Sequence, residues 1–444
     1  MNRTDDLIHG SIHRQLIALA IPLIIGNILQ QFYNTIDSFI VGRYIGQNAF
    51  AATGVAGSLM NLFIFVLNGG CNGISVIFAQ LYGERNWASL RRESFLSLAF
   101  GTLFSAALSI VSILSLSPLL RVIQTPPEIT GYVTEYLWII YLGLPVTFLY
   151  NWCAAALRAV GDTGTALWAL LIAMVLNFLL DLLLVAQFQM GIAGTAVATV
   201  IAQLLSAGVC VIYMGKRHPH LLFDRGDISF DGALLRQTAD YGIVSALHQS
   251  SLYIGKLLVQ GAVNTGGTDV ISAYTATMRI EGFANSFGDS GANAVSVFVA
   301  QNRGAGDSHR IRKGLSAGLV MMSLLGVVLS LIMAFSTRWA VILLMGEVPA
   351  RVMDHAAGYM TVIAVFYVLC FVGNTFVGLY RGIGMVRVPV LGTILQITIR
   401  VILSYLLINT MGLAAIALAT GVGWAAVVSY QIILYRVKVR NSLT

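Results

Sequence analysis

Charge is scarce in this chain. Only 10% of its 444 residues are Asp, Glu, Lys or Arg, against about 25% in ordinary soluble domains, which excludes a water-soluble surface of the usual kind. Prolines number 8, and no stretch rich in Ser, Gln or charge suggests a disordered tail. Nearly the whole length is therefore available for spanning helices. The four cysteines, Cys71, Cys153, Cys210 and Cys370, fall in or beside apolar runs, without the close Cys or His pairing that zinc demands. They read as packing residues. Also missing are H-E-x-x-H, a P-loop and any extramembrane domain able to bind a partner, which argues against an intramembrane enzyme or a receptor. What is abundant is apolar: 57% of residues are hydrophobic, and the 44 glycines suit helices that pack backbone to backbone in lipid.

Apolar runs long enough to cross a bilayer occur at about 16–40, 50–81, 95–119, 131–156, 164–187, 191–214, 238–262, 270–300, 314–345, 355–379, 388–409 and 412–435. The fold class expected is all-α and integral to the membrane, with twelve transmembrane helices. The even-numbered connections and the two ends hold nineteen Lys and Arg residues, the odd connections only Arg43, Arg121, Arg338 and Arg351. That bias places both termini in the cytoplasm. It also explains the net charge of +7 by topology, with no nucleic-acid partner. The first run is too long for a signal-peptide core and lacks a cleavage site after it, so it is expected to remain as a span of a multi-pass protein of the prokaryotic-type inner (plasma) membrane, in contact with lipid.

The halves repeat. "SVIFAQLYG" (75–83) returns as "SVFVAQNRG" (296–304), and "MGIAGTAVAT" (190–199) as "MGLAAIALAT" (411–420), both displaced by 221 residues. Six spans per half keep the halves in one orientation, so a pseudo-two-fold along the membrane normal is expected to relate two six-helix bundles. The expected domains are an N-lobe over 1–214, a cytoplasmic connector over 215–236 and a C-lobe over 237–444. Such a duplication is the architecture of an alternating-access transporter. A self-contained two-lobe unit makes monomer the default.

Within "LNFLLDLLLV", Asn177 and Asp181 share a helical face at a spacing of four. A carboxylate near the centre of a spanning helix costs roughly 2.5–3.5 kcal/mol on insertion scales, so its retention points to function. The first span repeats the spacing with Tyr33 and Asp37, the fourth adds Asn151 and the sixth Thr199. At about 1.5 Å per residue, Asp37, Asp181 and Thr199 can reach similar depths in the outer half of the membrane. Two carboxylates in low dielectric repel, so a shared proton or a bound cation is expected between them. A rival reading leaves Asp37 wet at a helix end and Asn177 and Asp181 bonded to a neighbouring helix.

The second half shows no matching acid pair: Ser404 and Arg400 stand where Asp181 and Asn177 do in the first. Its intramembrane charges are Lys256, Arg279, Glu281 and Arg400, which read either as internal ion pairs and snorkelling side chains or, for Lys256 and Arg400, as cavity-lining groups. His248 and Gln249 are candidates to bond cargo. Arg158 and Arg381, each followed by a glycine three residues on, are expected to anchor cytoplasmic helix ends.

Taken together, "QQFYNTIDSFIVGRYIG", "AQLYGERN", "AQNRGAGD", "ALRAVGDT" and "LNFLLDLLLVAQFQMGIAGTAVAT" resemble the multidrug and toxic compound extrusion (MATE) family over essentially the whole chain, closest to its DinF-like branch. The resemblance implies an antiporter driven by H⁺ or Na⁺ that exports small amphipathic, often cationic, compounds. It also implies a cation-coupling site at Asp37, Asn177, Asp181 and Thr199, beside cavity residues Tyr33 and Asn151. Lys256 and Arg400 are unusual for cationic cargo. They leave a second reading, a flippase for lipid headgroups or oligosaccharides of the wider superfamily.

Overall fold

The structure is a computed structural model that describes residues 7–346 and 348–440, with the side chains of residues 34, 35 and 38 outside the description. Among the described residues all regular structure is helical, as it must be where no water is present to satisfy an open sheet edge. In chain order the helices are α1 (Ile12–Tyr44), α2 (Gln47–Gly83), α3 (Trp87–Val122), α4 (Pro127–Leu142), α5 (Leu144–Ala159), α6 (Thr163–Asp181), α7 (Gly191–Arg217), α8 (Gly232–Asn264), α9 (Thr268–Gly304), α10 (Ser308–Met345), α11 (Ala350–Gly382), α12 (Arg387–Met411) and α13 (Leu413–Leu434). Nine spans among the described residues are apolar and long enough to cross a membrane, and the bent pair α4–α5 makes a tenth. Helices α8 and α9 are as long, but Lys256, Glu281 and Asp289 reduce their apolar character. With these two, the spans are twelve.

The fourth span was expected as one run and is broken. α4 and α5 meet at 52° because Pro145, in the first turn of α5, has no N–H to donate to Tyr141 and crowds its carbonyl. The Ser109 hydroxyl donates to that freed carbonyl oxygen at 2.6 Å. The corresponding span of the second half, α11, is continuous over 33 residues. α6 ends differently again, passing into a wide π turn, Leu182–Gln187, directly after Asp181.

The repeat is visible in backbone geometry. α2 and α9 are each 37 residues long, and α1 and α8 each 33. Positive φ values recur 221 residues apart at Gly46 and Gly267, at Arg85 and Gly306, and at Gly191 and Gly412. Each of these residues turns the chain between two spans in a conformation that glycine adopts at least cost. The cap that follows recurs too: Asn86 Oδ1 accepts from the Ser89 amide at 3.1 Å, and Asp307 Oδ1 from the Arg310 amide at 2.8 Å.

The contacts form two compact units, one of 25–246 and one of 7–24 with 247–346 and 348–440. The segment 215–236 packs on the first unit. Arg91 Nε bonds Asp227 Oδ2 at 2.9 Å, Trp87 stacks on His220 with centroids 4.4 Å apart, and His218 lies 3.3 Å from Asp162 Oδ2. Burial works to raise the Asp162 pKa, but hydrogen bonds from His218, Thr165 and Tyr213 outweigh it and hold the carboxyl below its ordinary value. The next turn is fastened as well: Thr238 donates to the buried Glu93 Oε2 at 2.7 Å. In the second unit, the start of the segment 7–24 is tied by Asn302, whose amide donates to Leu7 O at 3.2 Å, and by Arg310. Arg310 donates to the carbonyls of Leu7 and Gly10 and to Gln15 Oε1, at 2.9, 3.0 and 2.8 Å.

Each unit has its own core. In the first, Trp152 packs edge-on against Phe78 at 5.9 Å and donates its indole N–H to Ser97 Oγ at 2.9 Å. In the second, Tyr274, Tyr359, Tyr367 and Phe371 are buried together with Met360 and Ile363, and α11 lies on α9 through glycines 378 and 382.

Candidate functional site

The first unit gathers the polar residues of spans one, five and six at one point. Asn177 is 1% exposed and Asp181 fully buried, with Thr199 nearly so at 9%. Matching donors to acceptors orients the Asn177 amide. Its nitrogen donates to Asp37 Oδ1 at 2.8 Å and to Asp181 Oδ2 at 3.2 Å, and its oxygen accepts from the Thr199 hydroxyl at 3.2 Å and the Tyr33 hydroxyl at 3.3 Å. The Asp37 and Asp181 carboxyls are within hydrogen-bonding reach of each other. Two carboxylates share such a contact only with a proton or cation between them. Asp181 Oδ1 has no hydrogen-bond partner among the described residues.

Local structure explains the aim of these groups. The i, i+4 spacing stacks Tyr33 over Asp37 and Asn177 over Asp181. The π turn after Asp181 widens the helix where the carboxylate points inward, a distortion frequent at functional positions. Tyr136 of α4 also lies within electrostatic reach of both acids. It was not among the residues singled out from the sequence, where nothing distinguishes it from other aromatics. Asn151 is not brought into this cluster by any hydrogen bond described, since its amide donates back to Thr147 O at 2.8 Å.

The second unit holds two polar groups, with Lys256 in electrostatic reach of both. One surrounds Glu281, 5% exposed, which accepts from the Tyr359 hydroxyl at 2.9 Å and lies near Arg400 and Lys256. Arg400 also lies within electrostatic reach of Tyr274. The other is a cavity of about 110 Å³ whose wall includes His248, Gln249, Asp289, Asn293, Arg381 and Gln431. Thus His248 and Gln249 line a cavity, whereas Lys256 and Arg400 are absent from its lining. Glu281 and Asp289 give the second unit two intramembrane acids after all, each close to cations. Arg381, expected to anchor a helix end, is instead 6% exposed and donates to His248 Nδ1 at 2.8 Å.

The MatE family model matches residues 22–183 and 244–406. The chain belongs to the MatE family. As a MatE protein it is a transporter, not an enzyme, and a multi-pass membrane protein. It is similar to the probable multidrug resistance protein YoeA of Bacillus subtilis, with 28% identity over 334 residues that cover 73% of this chain and 72% of that one. Multidrug export protein MepA of Staphylococcus saprophyticus is 18% identical over 423 residues, 95% of this chain and 92% of its own. Among solved structures, an outward-facing multidrug resistance MATE family transporter superposes with a TM-score of 0.90 at 19% identity, covering 100% of this chain and 99% of that one. A MOP superfamily transporter from Pyrococcus furiosus gives the same values. These likenesses establish the twelve-helix MATE fold.

Proposed function

We propose that this MatE protein is a secondary antiporter of the DinF-like branch, exporting small amphipathic compounds in exchange for H⁺ or Na⁺. The observation that carries the reading is the meeting of Asp37 and Asp181, from different spans, on one asparagine inside the first unit. A proton would sit between the two carboxyls. Na⁺ would find the oxygens of Asp37 and Asp181, joined by those of Asn177, Thr199 and Tyr33 once the Asn177 amide turns its oxygen toward the carboxyls, the hard donors such an ion prefers. Either ion drives export only if it binds the cargo-free and cargo-bound states with different affinity. Relatives named for multidrug resistance and export support the cargo class. The bias of basic residues supports cytoplasmic ends and a plasma-membrane setting, and two six-span halves support alternating access by a monomer.

The test is transport in proteoliposomes with pH and Na⁺ gradients imposed independently. One pH unit supplies about 1.4 kcal/mol per proton, which sustains a tenfold cargo gradient in one-for-one exchange. Asp37→Asn and Asp181→Asn should each insert normally and lose this accumulation. Undiminished gradient-driven accumulation in both variants would refute the coupling assignment.

A further inference from the structure

The cavity of the second unit contains a charge arrangement that the ion site does not use. Arg381 is 94% removed from solvent by its 6% exposure, yet among the described residues the one hydrogen bond of its guanidinium goes to His248 Nδ1. A guanidinium has five N–H donors and no acceptor, so four donors remain. The same bond settles His248: because Arg381 can only donate, Nδ1 is the acceptor and the ring proton sits on Nε2, as a further donor. Opposite in sign, Asp289 lines the same cavity, is open to it, and feels Arg381 and Lys256 electrostatically. No hydrogen bond or ion pair engages its carboxylate among the described residues. Gln431 completes the wall, fully buried, with neither amide atom hydrogen-bonded.

A buried guanidinium with unused donors and a buried, unbonded carboxamide are each costly to leave without partners, and the open Asp289 carboxylate sets a negative charge beside them. No single ion satisfies them all. A cation would answer Asp289 while adding to Arg381, and an anion would do the reverse. The volume sets the size: about 110 Å³ is well below the ~300 Å³ at which pockets enclose whole drug-sized bodies. It suits a head group whose apolar body lies beyond the wall.

We propose that this cavity receives a zwitterionic head group, an ammonium and a carboxylate a few bonds apart, with the carboxylate on Arg381 and His248 Nε2–H, the ammonium on Asp289, and Gln431 bonding at the edge. The inference deepens the export reading by naming a cargo class, and it rests on that reading only for the word cargo.

The test is equilibrium binding by calorimetry to the full chain in lipid nanodiscs, with no gradient. Three probes share one phenylalkyl body: homophenylalanine carries both charges, 4-phenylbutanoate the carboxylate alone and 3-phenylpropylamine the ammonium alone. Homophenylalanine should bind at least about tenfold tighter than either, the value of one charge-assisted hydrogen-bonded contact. Asp289→Asn, at an open position, should erase most of the advantage over 4-phenylbutanoate, weakening homophenylalanine while 4-phenylbutanoate, relieved of a like charge, binds at least as tightly. Asp181→Asn should leave all three affinities intact. Equal binding of the three probes, no binding of homophenylalanine, or an advantage that survives Asp289→Asn would overturn the site, whatever transport does. A chain that binds homophenylalanine as described yet moves no compound under either gradient would refute export and leave the site standing.

Discussion

Replacing Gly378 by alanine tests a contact of helix on helix backbone in the second unit. A Cβ there would lie 2.5 Å from the carbonyl oxygen of Ala292 and 2.9 Å from Val295 Cβ. Since ordinary contact begins at 3.4 Å, α11 and α9 must part by roughly 0.9 Å, and the obstructing atom belongs to backbone that no rotamer change can move. Overpacking of this kind costs about 1–3 kcal/mol. The better helix propensity of alanine returns up to about 1 kcal/mol, so a net loss of roughly 1–2 kcal/mol is expected. Gly382→Ala should behave alike, its Cβ lying 2.6 Å from Val299 Cβ and 2.8 Å from Ser296 O. Gly282 supplies the opposite sign on α9 itself: nothing lies within 4 Å of its Cβ, so Gly282→Ala should stabilise by about 0.5–1 kcal/mol. The assay is equilibrium unfolding in detergent micelles, followed by circular dichroism. If Gly378→Ala and Gly282→Ala shift the midpoint in the same direction, the close approach of the two helices is wrong.

Two further outcomes follow from the turns between spans. Asp162 titrates below its unfolded value of about 3.9, so its contribution to stability is complete at neutral pH and fades as acid carries the solution down through the folded-state value. The stability gap between the wild type and Asp162→Asn should therefore be constant from pH 7 to about 5 and close below about pH 4, read from unfolding midpoints. Asn86→Ala and Asp307→Ala each remove a helix N-cap bond and should cost about 1 kcal/mol apiece. Their effects should add, because the caps belong to separate units.

The number of spans, the internal displacement of 221 residues and the meeting of Asp37, Asn177, Asp181 and Thr199 were legible because each leaves a one-dimensional trace. Hydropathy marks spans, repeats keep their spacing, and a costly acid in an apolar run announces itself. The second unit's cavity left no such trace. Arg381 stands near the end of a span, where basic residues ordinarily mark topology, and only packing reveals that it points inward to His248. Asp289 sits in a helix with several polar residues, so its freedom from partners is a property of what α8, α11 and α13 place around it. The break at Gly143 was missed because hydropathy runs straight through it. Pro145 was the available signal.

The π turn that follows Asp181 is, in effect, an α-helix carrying one surplus residue. The helix before it keeps its rotation and the chain leaves the helix after it, so a single deletion within 182–187 can be absorbed by tightening that turn, whereas the same deletion between 177 and 181 would swing Asp181 away from Asn177's partners. Length variation in this span should therefore be tolerated beyond the acid and forbidden before it, which makes the π turn the natural place for insertions and deletions to accumulate without touching the chemistry.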